Sequence, residues 1–146
     1  EPTEELKKEI LSYCADQVAK YAAPKELIFR FNPDQKTAYR RFLKVWEKEP
    51  GCVDGVICFC DSMAFGVYRA CRELGLSIPH DISVIGYDDG PVNDFTDPPL
   101  TTVHMPKDLV AAQCAQFVID RLIGGDTQLH KYTLQPHLAK RGSVRE

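Results

Sequence analysis

The sequence predicts an α/β fold in which a parallel sheet is flanked by helices. Short apolar runs alternate along the chain with stretches whose apolar residues recur every three or four positions. The helical stretches are long enough to act as right-handed crossovers between parallel strands. Turn-forming Pro, Gly, Asn and Asp residues separate the two kinds of segment. At 146 residues, 44% hydrophobic and 27% charged, the chain has the size and composition of one ordinary domain, or a large piece of one, with a real core.

The elements follow in order. Residues 5–21 carry Leu6, Ile10, Cys14, Val18 and Tyr21 on one helical stripe, with Thr3 as the N-cap and Pro24 beyond the end. Residues 27–31 read as a short strand. Asn32 is placed to cap the next helix, with Pro33 at its first position and Gln35 completing a capping box. Ala38, Tyr39, Phe42, Leu43 and Trp46 form the buried face of that helix, and Pro50-Gly51 stop it. Residues 56–60 are apolar on both faces, the pattern of a strand covered on both sides. Asp61 is expected to cap a helix whose stripe is Met63, Ala64, Val67, Cys71 and Leu74, and Gly75-Leu76 fit a Schellman stop. Residues 82–85 are a strand, 90–99 an irregular loop, and 100–104 extended. Residues 106–123 form a helix with Val110, Cys114, Phe117, Val118 and Leu122 facing inward. Tyr132 to Leu134, and Leu138 onward, close the chain as extended segments.

Charge and composition exclude several classes. Eighteen Lys and Arg against 21 Asp and Glu leave a formal charge of −3, without the basic excess of a nucleic-acid surface. The longest apolar run is too short to cross a bilayer, and no secretory leader opens the chain. The first residue is Glu, so a piece of a longer polypeptide is expected. Cysteines at 14, 52, 58, 60, 71 and 114 fall on predicted apolar stripes and strands, except Cys52. The expected state is free thiols in a reducing cytosol.

Ligands of open α/β sheets gather beyond the carboxyl ends of strands. Three such ends are loaded with polar or aromatic residues: Phe31 to Asp34, Cys60-Asp61, and Tyr87-Asp88-Asp89. Asp88 and Asp89 fit three roles: accepting hydrogen bonds from a polar ligand, capping a turn, or holding Mg²⁺ for phosphoryl transfer. The last has no lysine closing a nearby strand to support it. Cys58 and Cys60 with His104 or His80 lack a second close-spaced pair to complete a zinc site. Ser62 has no nucleophile elbow around it. His80 is expected in solvent, and Phe65 and Tyr68 lie off the main stripe, as partly covered surface or a partner face. No catalytic residue, metal or cofactor is expected.

From Asp54 onward the sequence resembles the lactose-repressor/galactose-repressor (LacI/GalR) family of bacterial transcription regulators. The carrying motifs are Asp54-Gly-Val-Ile, Cys60-Asp-Ser-Met-Ala-Phe-Gly66, Arg72-Glu-Leu-Gly-Leu and Ile78-Pro-His-Asp-Ile-Ser-Val-Ile-Gly-Tyr-Asp-Asp89. Pro98-Pro-Leu-Thr-Thr-Val-His-Met-Pro106 and Arg141-Gly-Ser143 follow in the family's order. Before Asp54 only the element order matches, with Thr37-Ala-Tyr39 near the family's Ser-Gly-Tyr.

The resemblance implies the C-terminal lobe of a two-lobed effector-binding domain, like that of periplasmic binding proteins of type I. It implies a sugar or related small molecule as effector, a cytoplasmic homodimer, no membrane, and DNA read by a separate head absent from this chain. A head of the GntR type is left open beside a LacI-type one. Helix 107–123 would belong with the missing N-terminal lobe, and in this chain is expected to be loosely held, swapped or packed on a neighbour. Asp88 matches the acid that binds effector, and Phe31 or Pro33 the position that stacks on it. Cys60 stands where sugar-binding members often carry Asn, which removes a two-way hydrogen-bonding group. Asp61 matches a helix-capping acid, and Phe65 and Val92 match dimer contacts. An exported solute-binding protein of the same fold, or a Mg²⁺-dependent phosphoryl-transfer domain using Asp88 and Asp89, are the alternatives.

Overall fold

The computed structural model describes residues 3–17, 34–125 and 127–145, and the chain divides into two compact units, 1–32 and 33–146. In the first unit, helix α1 (Glu4–Gln17) begins at the expected cap, where Leu6 N donates to Thr3 Oγ1 at 3.2 Å. Acidic Glu4 and Glu5 occupy its first turn, where the helix dipole favours negative charge. Val18, Tyr21, the strand expected at 27–31, Asn32 and Pro33 lie outside the described residues.

The second unit opens with α2 (Gln35–Lys48), capped by Asp34 rather than by Asn32. Asp34 has extended backbone angles, and its carboxylate accepts from Thr37 N at 2.9 Å and Thr37 Oγ1 at 2.8 Å. Gln35 is therefore the first helical residue and not the third residue of a box begun at Asn32. Ala38 and Phe42 are buried, with Tyr39, Leu43 and Trp46 packed beside them, as the periodicity requires.

Strands β1 (Gly55–Ile57), β2 (Ser83–Tyr87), β3 (Thr101–His104) and β4 (His137–Ala139) lie side by side in that order. The first three are parallel, with Val56 beside Val84 and Gly86 beside Thr102, and β4 runs antiparallel along β3. Residues 132–134 take no regular structure; the closing strand begins at His137. Helix α3 (Asp61–Leu74) leaves β1 after a short turn and packs on β2, and α2 packs on α3. Its stop is the expected one: Gly75 is left-handed at φ 70°, and Leu76 N donates to Cys71 O at 2.8 Å.

The core lies between α3 and the sheet, built from Ala64, Val67, Ala70, Cys71, Ile82, Val84 and Leu100, with Phe42 closing it from α2. Gly66 lets α2 and α3 touch backbone to backbone, because a Cβ there would overlap the Gln35 carbonyl. Cys58 and Cys71 are buried free thiols, and burial pushes them up to about 12 and about 11.

Two expectations are corrected by this arrangement. The run at 56–60 is not covered on both faces: Ile57 is 79% and Phe59 70% exposed, because α3 leaves β1 early and covers one side. Helix α4 (Lys107–Leu122) forms as expected, yet it has no buried residue. Val110, Val118 and Leu122 are exposed and so is Cys114, because no described element packs across them. Among the described residues no helix is long and apolar enough to cross a membrane.

Candidate functional site

The carboxyl ends of β2 and β3 and the returning segment 141–143 build one polar cluster. Its base is Asp61. The sequence casts this acid as the cap of α3, but extended Cys60 occupies the cap position and Asp61 is the first helical residue, buried. Its carboxylate turns away from its own helix. It accepts from Thr102 Oγ1 at 2.6 Å, Asn93 Nδ2 at 2.7 Å and Gly90 N at 2.8 Å. These bonds tie β1's exit, the 90–95 loop and β3 together. Gly86 is required beneath them, since a Cβ at that position would overlap the Asp61 carboxylate. The loop itself is a single 3-10 turn, Pro91–Phe95, with Asn93 completely buried.

Asp88 and Asp89 follow β2 and both carry positive φ, 109° and 52°. Non-glycine residues rarely adopt such angles, and they persist only where surrounding bonds fix them. Those bonds are present. Asp88 N donates to Val103 O at 3.0 Å and Asp89 N to Thr102 Oγ1 at 3.4 Å. The Asp89 carboxylate meets Arg141 Nη2 at 2.8 Å and accepts from His104 Nδ1 at 2.8 Å. Burial raises the Asp89 carboxyl, but the hydrogen bonds from His104 and Arg141 outweigh it and hold the group below the ordinary carboxylate range. Arg141 is anchored independently, through Asp94 at 2.6 Å and Leu100 O at 3.0 Å.

Asp88 differs from its neighbour. Its carboxylate makes no hydrogen bond or ion pair among the described residues, and it lines a cavity of about 330 Å³. Asp89, His104, Met105, Pro106, Lys107, Asp108 and Leu109 complete the lining. The cavity thus sits beyond the strand ends, where β3 passes into α4. Two free acids, Asp88 and Asp108, a half-exposed imidazole and a lysine offer hydrogen bonds in both directions to a small polar molecule.

The remaining sequence candidates are distributed as follows. Cys60 does not line this cavity; its Sγ lies 3.1 Å from Ser62 Oγ, in the first turn of α3. Phe31 and Pro33 fall outside the described residues. Phe65 is half-buried against the core, whereas Val92 is 56% exposed. Tyr68 is no free surface residue, since its hydroxyl donates to Pro98 O at 2.9 Å. His80 is exposed as expected. Cys58, Cys60, His80 and His104 do not converge, and no three His, Cys, Asp or Glu among the described residues are grouped as metal ligands. With Asp89 engaged by Arg141 and His104, the two neighbouring acids do not form the paired carboxylates that phosphoryl transfer calls for. Sequence reasoning missed Asn93, Thr102 and Arg141 as parts of the cluster. The motif Arg141-Gly-Ser143 was the signal available for the last.

Similarity to known proteins agrees with this geometry. The periplasmic binding protein-like domain family matches residues 2–144. The HTH-type transcriptional repressor PurR of Vibrio atlanticus (strain LGP32) is 34% identical over 127 residues, which cover 87% of this chain and 38% of that protein. The solved complex of the transcriptional regulator CelR with cellobiose superposes with a TM-score of 0.70 at 30% identity, covering 75% of this chain and 33% of that one. A LacI family transcriptional regulator from Enterococcus faecium with bound ribose gives a TM-score of 0.74 at 27% identity, covering 86% of this chain and 46% of that one. The chain therefore spans less than half the length of each of these three proteins.

Proposed function

This chain belongs to the periplasmic binding protein-like domain family, in the form that LacI-type transcription regulators carry as their effector-binding domain, and on that premise we propose that it is the C-terminal lobe of a sugar sensor. The effector, a neutral sugar or sugar derivative, binds at Asp88, in a cleft closed by a second lobe. The observation that carries this reading is the free carboxylate of Asp88 in the strand-end cavity, beside an acid paired with Arg141 and His104. A carboxylate is acceptor-only and takes two hydroxyl donors at once, which suits a polyol. The cellobiose and ribose held by the two structural neighbours support the ligand class.

Helix α4, with no buried residue here, is assigned to the second lobe. Effector binding then alters the angle between lobes and shifts the population of the operator-binding state, by its differential affinity for the two. Operator DNA is read by a separate N-terminal head, and the regulator acts in the cytoplasm as a homodimer through the surface of Phe65 and Val92. Phe31 or Pro33 supplies the face that stacks on the sugar. No catalytic step is assigned.

The test is titration calorimetry of the full-length regulator with a panel of neutral mono- and disaccharides that includes cellobiose and ribose. Asp88→Ala should abolish binding of the tightest member and leave the melting temperature unchanged. Equal binding by the variant removes Asp88 from the site.

A further inference from the structure

We propose that Arg141 is a positioning residue for effector recognition: anchored away from the cleft, it draws Asp89 to itself, so that of the two adjacent acids Asp88 is the one left free for the ligand. The proposal rests on the reading of Asp88 as the effector anchor and adds the device that aims it.

Two adjacent acids at a strand end have no intrinsic reason to divide their tasks. Left to themselves they repel, and either one faces the solvent. Here the backbone at both positions sits in the left-handed half of φ space, 109° and 52°, uncommon for two consecutive non-glycine residues although aspartate enters it more readily than most. Hydrogen bonds donated to Val103 O and Thr102 Oγ1 hold the two backbone nitrogens. They leave the side chains undirected. Direction comes from the guanidinium: Nη2 lies 2.8 Å from Asp89, while Nε and Nη1 are fixed by Asp94 and Leu100 O, and the Arg141 amide donates to Thr101 Oγ1 at 2.9 Å. Arg141 is thus held at four points, three of them independent of Asp89. It is a fixed cation to which Asp89 conforms, and not a flexible partner that follows the acid. His104 closes the other oxygen of Asp89 from the cavity side. Because the two residues are consecutive and both strained, turning Asp89 inward leaves its neighbour facing the cavity.

The planar fork of arginine is needed for this, since lysine offers a single point charge. The experiment compares Arg141→Met, Arg141→Lys, Asp89→Asn and Asp88→Ala in the full-length regulator. Sugar affinity is measured on the tightest member of the saccharide panel, beside operator affinity without sugar, melting temperature and a crystal structure of each variant. Arg141→Met and the isosteric Asp89→Asn should weaken sugar binding roughly tenfold or more, the scale of one lost charged hydrogen bond. Arg141→Lys should recover part of that loss. Operator affinity without sugar should stay at the parent value, which loss of the fold would not allow. In the Arg141→Met structure, Asp88 should leave its positive φ or turn its carboxylate from the cavity. Unchanged affinity in Arg141→Met and Asp89→Asn, with binding lost in Asp88→Ala, overturns the positioning role and leaves the anchor standing. Unchanged affinity in Asp88→Ala, or no binding by any saccharide, overturns both.

Discussion

At the scale of single residues, the most consequential group is one that lies outside the strand-end cavity. Asp61 satisfies three donors, two from the 90–95 loop and one from β3, and the bonds to Asn93 and Thr102 are buried. Asp61→Ala strands those donors in the interior, and the expected loss is about 3 kcal/mol in urea unfolding, the upper range for a group of this kind. Asp89 makes a prediction about pH. Its carboxyl is held below the unfolded value of about 3.9, so its ion pair contributes fully above that pH and is lost as pH falls through the lower folded value. Asp89→Asn lacks the contribution at every pH. The stability gap between parent and variant should therefore be constant in the neutral range and shrink toward acid, as read from urea midpoints taken down the acid limb. A gap independent of pH would show that the pair adds nothing as a charge.

At the scale of elements, close contact between α2 and α3 depends on Gly66. Gly66→Ala drives a methyl group into the Gln35 carbonyl, so the helices must separate. The cost should be roughly 1–3 kcal/mol, although alanine is the better helix former, and denaturant titration measures it. A stabilised variant would mean that the helices part freely. Local signals of this kind explain which elements were legible in the sequence. The stop at Gly75 was readable because a single glycine followed by an apolar residue sets it, and the α2 face because Phe42 and Trp46 recur at helical spacing. Asn32 read as the cap because Pro33 follows it at a first helical position, whereas the Thr37 amide bonds to Asp34 by geometry that spacing does not encode. Asp88 was legible because it directly follows an apolar strand. Arg141 and Asn93 were not, because the partners that give them meaning are distant in the chain and brought near only by the sheet.

At the scale of the whole molecule, the second unit divides into a cemented half and a bare one. Around α3 the chain is densely packed, while α4 presents Leu109, Val110, Val118, Ile119 and Leu122 to solvent. In the 146-residue chain at low concentration, the amides of α4 should exchange with deuterium far sooner than those of α3, which open only with the core. Equal protection would mean that α4 is stable without a covering surface. The last consequence concerns the order in which the chain is made. Ser143 Oγ donates to Val84 O at 2.6 Å and accepts from Thr101 N at 2.8 Å, and its own carbonyl receives Val84 N at 2.8 Å. A residue near the end of the sequence thus rivets the seam between two strands synthesised long before it. Until that serine is made, the Val84 peptide groups and the Thr101 amide at the amino ends of β2 and β3 lack the partner that joins them, so the sheet can be completed only after nearly sixty further residues have followed Val84.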